Sequence, residues 1–112
     1  MVLESIAQKL GLKPWTEASA NVEVGSGYAS DLLSDVLARA KSGTIWVTNH
    51  KHTNIIGVAV MLNLSAVVIA GGIDPDPGTI EKAIEEKIPL YTTDLTLYET
   101  VGKAYEMGLR SC

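Results

Sequence analysis

The chain has almost no cysteine: one residue in 112, and it is the last, Cys112. No internal disulfide can form. With no base placed beside it, the terminal thiol does not read as a nucleophile. Basic residues are also scarce, with nine Lys and Arg against thirteen Asp and Glu, for a formal net charge of −4. A nucleic-acid surface needs a basic face. No Lys/Arg cluster occurs, so nucleic acid is not an expected partner. Long hydrophobic runs are missing as well. The longest, Ile55 to Leu64, is interrupted by Gly57 and Asn63 and falls short of the roughly 18 apolar residues of a membrane helix. Met1-Val2-Leu3-Glu4-Ser5 lacks the basic start and apolar core of a signal peptide. A cytoplasmic protein with no membrane partner is the expectation.

Several catalytic signatures are absent too. No Gly-Lys-Ser/Thr occurs, which removes a Walker-type P-loop, and no Gly-x-Ser-x-Gly marks a nucleophile elbow. Gly25-Ser26-Gly27-Tyr28-Ala29-Ser30 approaches the dinucleotide fingerprint, but Ser30 replaces its third glycine. Thr44 to Asn49, where the ribose-binding acid belongs, contain no acid.

What is present is an ordinary globular composition, 46% hydrophobic and 20% charged, with no repeat, low-complexity stretch or linker. Residues 1–112 read as one domain. Leu3, Ile6, Ala7 and Leu10 recur at helical spacing and Gly11 stops that helix. Leu12 to Trp15 reads as a brief edge strand because of Pro14. Asn21 to Val24 alternates and reads as a strand, and Gly25-Ser26-Gly27 as the turn after it. Ser30 then caps a helix whose apolar face is Leu32, Leu33, Val36, Leu37 and Ala40, with an Asp35–Arg39 pair and Gly43 at its end. Thr44 to Thr48 is β-branched and aromatic, hence a strand. Thr53 or Asn54 caps a helix running to about Asn63.

That helix is apolar on nearly every side, so it must be covered on every side. One face is expected on the sheet and the other on a second copy of the chain. Ile56, Val60 and Met61 are the candidate homodimer contacts. Ala66 to Ala70 reads as a buried parallel strand. Asp76 caps the next helix, with Pro77 at its first position and Ile80, Ala83, Ile84 and Lys87 along one side. Leu90 to Thr92 is a strand. Thr96 and Glu99 form a capping box for a last helix with Leu97, Val101, Ala104 and Tyr105 inward. Strands alternating with helices give the fold class: α/β, with a mainly parallel sheet.

In such a sheet the strand C-termini share one edge. Three loops should meet there. The first offers Thr48, Asn49 and His50, followed by Lys51 and His52. The second offers Ala70, Gly71, Gly72 and Asp74, and the third Thr92, Thr93 and Asp94. The diglycine, following a buried strand, is expected to display backbone N–H groups. That inventory suits a small anionic ligand or nucleotide. The same residues also serve as turn and capping residues. His50 and His52 would need a third ligand, Asp74 or Asp94, to hold zinc. Ordinary hydrogen bonding is the simpler reading, so no metal or cofactor is assigned. No catalytic residue is assigned either. The enzymatic alternative is a phosphate-handling or hydrolytic site built from His50, His52, Asp94 and the glycine turn.

Three segments carry a resemblance: Ser30-Asp31-Leu32-Leu33-Ser34-Asp35-Val36, Ala66-Val67-Val68-Ile69-Ala70-Gly71-Gly72 with its following Asp-Pro, and Ile88-Pro89-Leu90-Tyr91-Thr92-Thr93-Asp94. Over roughly Val24 to Gly108 the chain resembles the DRTGG domain family, which is similar to the N-terminal domain of bacterial HPr kinase/phosphorylase. His50-Lys51 stands at the family's Asp-Arg position and Ala70-Gly71-Gly72 at its Thr-Gly-Gly. The glycines remain, while the Asp-Arg pair and the threonine hydroxyl do not. The resemblance implies an HPr kinase N-terminal-domain-like α/β fold, self-association, and a non-catalytic regulatory role in which the module senses a ligand or docks a protein partner.

Overall fold

A computed structural model of the chain describes residues 1–17 and 21–112. The elements follow in the order α1 (Leu3–Leu10), β1 (Lys13–Pro14), β2 (Ser26–Ala29), α2 (Leu33–Arg39), β3 (Thr44–Thr48), α3 (Asn54–Leu62), β4 (Ala66–Ile69), α4 (Pro77–Glu86), β5 (Leu90–Thr92) and α5 (Leu97–Glu106). They build one five-stranded sheet in the order β1-β5-β4-β3-β2. β2 to β5 are parallel and β1 joins β5 antiparallel. The expected α/β architecture is therefore present. No helix of the described residues is long and apolar enough to cross a membrane.

From β2 to β5 the chain steps across the sheet in one direction. Right-handed crossovers then place every connecting helix on the same face. Val36 of α2, Ile55, Ile56, Val58 and Ala59 of α3, and Ala83 of α4 pack there around Trp46, Val67, Ile69 and Leu90. Trp46 is fully buried, and its indole N–H donates to the Ser30 carbonyl at 2.9 Å. The opposite face carries α1 and α5, over Ile45, Val47, Val68 and Tyr91. Helices on both faces explain why β3, β4 and β5 are buried along their whole length.

Several local expectations change. Asn21 to Val24 is not a ladder strand. It holds the N-terminus through Leu3 N–H to Val22 O (2.8 Å) and Val24 N–H to Met1 O (2.7 Å). The strand lies one step later, on the Ser26–Gly27 segment read as a turn. Gly27 is needed there for contact: a Cβ at this position would stand 3.3 Å from Leu109 Cδ2. Ser30 does not cap α2 directly. Its hydroxyl accepts the N–H of Leu32, the residue at the helix's N-terminal boundary. Gly43, expected to end α2, lies in the turn before β3, since α2 already ends at Arg39 with Ala40 as its C-cap.

Ile56 is fully buried against the sheet and is no surface contact, whereas Val60 and Met61 are exposed. On α5 Thr100 is fully buried and Leu97 and Ala104 pack against the core as expected, whereas Val101 and Tyr105 are exposed. The Thr96–Glu99 capping box forms as expected, and so does the Asp35–Arg39 pair, at 3.3 Å.

Candidate functional site

The loop after β4 leads to α4 on one face of the sheet. The loop after β5 leads to α5 on the other. Two adjacent parallel strands whose exits diverge leave a crevice between them, the place where ligands enter open α/β sheets. Ala70-Gly71-Gly72 and Thr93-Asp94 occupy that point. The left-handed φ of Gly71 and Gly72, 90° and 71°, turns the chain there. Gly71 is also crowded, whereas a Cβ at Gly72 would make only ordinary contact. A Cβ on Gly71 would lie 3.3 Å from Asn49 Nδ2, and one on Gly72 3.5 Å from Asp94 Oδ1.

The glycine N–H groups are not on display. Gly71 N–H donates to Leu95 O at 2.7 Å and Gly72 N–H to Thr93 O at 2.9 Å, which stitches the two loops together. The paired glycines thus close the crevice floor rather than form an open anion nest. Thr93 is buried, and its hydroxyl accepts the Leu95 N–H. Asp94 is exposed beside it.

The β3 exit is tied to both neighbours. Asn49 Nδ2 donates to the Ala70 carbonyl at 2.8 Å. The Thr48 hydroxyl, fully buried, donates to Asp31 Oδ1 at 2.8 Å, and the same oxygen accepts the Asn49 N–H at 2.7 Å. His50 Nε2 hydrogen-bonds to the Asp31 carbonyl. Asp31, two residues before α2, organises the end of β3.

On the other side, His52 Nδ1 meets Asp76 Oδ2 at 2.7 Å and Lys51 Nζ lies 3.7 Å from Oδ1. The Lys51 carbonyl accepts the Thr79 hydroxyl at 2.7 Å and the Asp76 N–H at 3.1 Å. The hydrogen bond from His52, helped by the charges of His52 and Lys51, holds the Asp76 carboxyl below the usual carboxylate range. Asp76 occupies the cap position of α4, with Pro77 at N1, but its side chain makes no cap hydrogen bond.

The structure therefore gathers Thr48, Asn49, His50, Gly71, Gly72, Thr93 and Asp94 along one edge. Thr92 stands apart from them, since its hydroxyl accepts the Trp15 indole N–H at 2.8 Å on the β1 side. The turn Gly25-Ser26-Gly27 does not join them either, because β2 runs through it. Asp31 and the Lys51–His52–Asp76 cluster extend the edge. The sequence signal for them was an acid at each strand-to-helix junction. No group of three or more His, Cys, Asp or Glu side chains among the described residues has the closeness of a metal site.

No protein-family model matches the chain. No curated protein matches it by sequence. Its fold is that of a solved structure: the CBS and DRTGG domains of the regulatory region of Clostridium perfringens pyrophosphatase, in complex with the activator diadenosine tetraphosphate. The TM-score is 0.69 at 15% identity over 90% of this chain, and this chain spans 44% of that one.

Proposed function

We propose that the chain is a non-catalytic, DRTGG-like regulatory module that senses a small anionic ligand of the nucleotide class at the exits of β3, β4 and β5. The observation that carries this reading is the divergence of the β4 and β5 exits, with Asn49 and Asp94 beside it, the diglycine at its floor and His50 on the adjoining β3 exit, held to Asp31. The exposed members, Lys51, His52 and Asp94, are the groups a ligand would meet first. The hydroxyls of Thr48, Thr92 and Thr93 each hold a structural hydrogen bond, which favours sensing over nucleophilic chemistry. The regulatory region of the same fold, solved with a dinucleoside polyphosphate, supports the ligand class.

A thermal-shift panel of diadenosine tetraphosphate, adenosine nucleotides and inorganic phosphate tests the reading. A ligand at one hundred times its Kd adds about 2.7 kcal/mol of apparent stability, a rise in Tm of roughly 10 °C for a domain of this size. A flat response to every nucleotide would leave protein docking as the module's role.

Self-association belongs to the same proposal. The outward side of α3 presents Gly57, Val60 and Met61 with no charged residue anywhere on the helix. Leu37 of α2 and Ile84 of α4 are exposed on the same helical layer. Covering this face with a second copy accounts for its composition. Sedimentation equilibrium should give a dimer at tens of micromolar, and Met61→Glu should give a monomer that still folds. A clean monomer for the unaltered protein would remove the dimer.

A further inference from the structure

Between α5, the edge strand β2 and the segment after α5, the layer under α1 and α5 opens into a groove of about 250 Å³ that reaches down to the buried Ile45 and Val47. Ile45 and Val47 make its floor, Val101 and Ala104 of α5 one wall, and Leu109 one end. The Thr100 hydroxyl faces back into its own helix, donating to the Thr96 carbonyl at 2.8 Å, so that wall stays apolar.

Among the described residues one charged side chain borders the groove: Arg110. Its position is built in at two levels. The Arg110 carbonyl accepts the Gly27 N–H at 2.8 Å, fixing its backbone to the edge of β2. Its guanidinium stacks over the Tyr105 ring at 3.9 Å and donates from Nη1 to the Tyr105 carbonyl at 2.6 Å. Among the described residues no carboxylate forms an ion pair with it. An arginine held this way keeps further N–H donors for a carboxylate while losing little side-chain freedom on binding.

We infer that this groove is a second binding site, separate from the strand-end loops, for a small aliphatic monocarboxylate: chain along Ile45, Val47 and Val101, head group on Arg110. A groove of about 250 Å³ lies at the small end of small-molecule sites, which run from roughly 300 Å³ upward, and so suits a short aliphatic chain. A single cation at the mouth of an otherwise apolar groove selects an apolar anion over a neutral or cationic molecule.

The test is an amide-resolved NMR titration of the 112-residue protein with octanoate, with 1-octanol as the uncharged control. Saturable shifts are expected at Gly27, Val47, Val101 and Ala104, with 1-octanol binding about tenfold more weakly, the weight of one charge-assisted hydrogen bond. Arg110→Gln should weaken octanoate by a similar factor and leave 1-octanol unchanged. Ala104→Trp fills the groove and should abolish the shifts while the spectrum stays dispersed. Absence of saturable shifts at these amides overturns the site. Equal affinity for octanoate and 1-octanol overturns the role of Arg110, as does unaltered octanoate binding by Arg110→Gln.

Discussion

Gly71 is where backbone geometry and side-chain crowding coincide. Its φ of 90° belongs to the region L-residues avoid, and its missing Cβ leaves room for Asn49 Nδ2. Gly71→Ala should cost about 1–2 kcal/mol from the backbone alone and more once Asn49 is pushed off the Ala70 carbonyl. Gly102→Ala, on α5, is the matched control. It lies on an exposed helix surface with nothing near the new methyl group, and it should stabilise by about 0.5–1 kcal/mol. Urea unfolding of both variants decides the matter, and equal effects would contradict the account.

Asp31→Ala should destabilise by about 1–3 kcal/mol, because it leaves the buried Thr48 hydroxyl and the Asn49 N–H without their acceptor. Acid titration reports on three other carboxyls. Asp35 is lowered chiefly by the Tyr28 hydroxyl, Asp76 by His52, and Glu99 by the Thr96 backbone N–H. A carboxyl whose folded pKa is lowered stabilises the protein above the unfolded value, about 4. That contribution is lost as pH falls through the lowered value. Tm should therefore be flat from neutrality to about pH 5 and drop below pH 4, with a smaller drop for Asp76→Asn. An equal acid drop in that variant would remove Asp76 from the effect.

The elements divide by what signals them. β3 to β5 were legible because β-branched apolar runs bounded by turn residues describe buried parallel strands. α5 was legible because Thr96 and Glu99 form its capping box. β2 was not, because Ser26-Gly27-Tyr28-Ala29 has little intrinsic strand preference. It is a strand through distant contacts: the Ser26–Thr44 hydroxyl pair at 2.7 Å, the Tyr28 hydroxyl donating to Asp35 at 2.7 Å, and Leu109 seated over Gly27. The strand-end residues were named from the order of elements, but their hydrogen-bond state depends on partners from neighbouring loops. That is why the glycine N–H groups were expected free and are engaged. At this scale Thr96→Ala should lower stability by about 1 kcal/mol through loss of the cap. Gly27→Val should cost more, since its side chain meets Leu109. A neutral Gly27→Val would show that β2 tolerates a side chain where the structure has none.

The whole molecule is a sheet with unequal cover. Three helices on one face leave exposed apolar residues along α3, and two on the other leave an apolar groove. Polar groups concentrate at the strand C-termini, where adjacent exits part to opposite faces. The central claim is that this polar edge receives the regulatory ligand. Hydrogen-exchange mass spectrometry with and without diadenosine tetraphosphate tests it most directly. The account predicts slower exchange in segments 48–54, 71–74 and 93–96, with segments 44–47 and 100–105 unchanged. Unaltered exchange throughout, or protection confined to segments away from the strand ends, would contradict it.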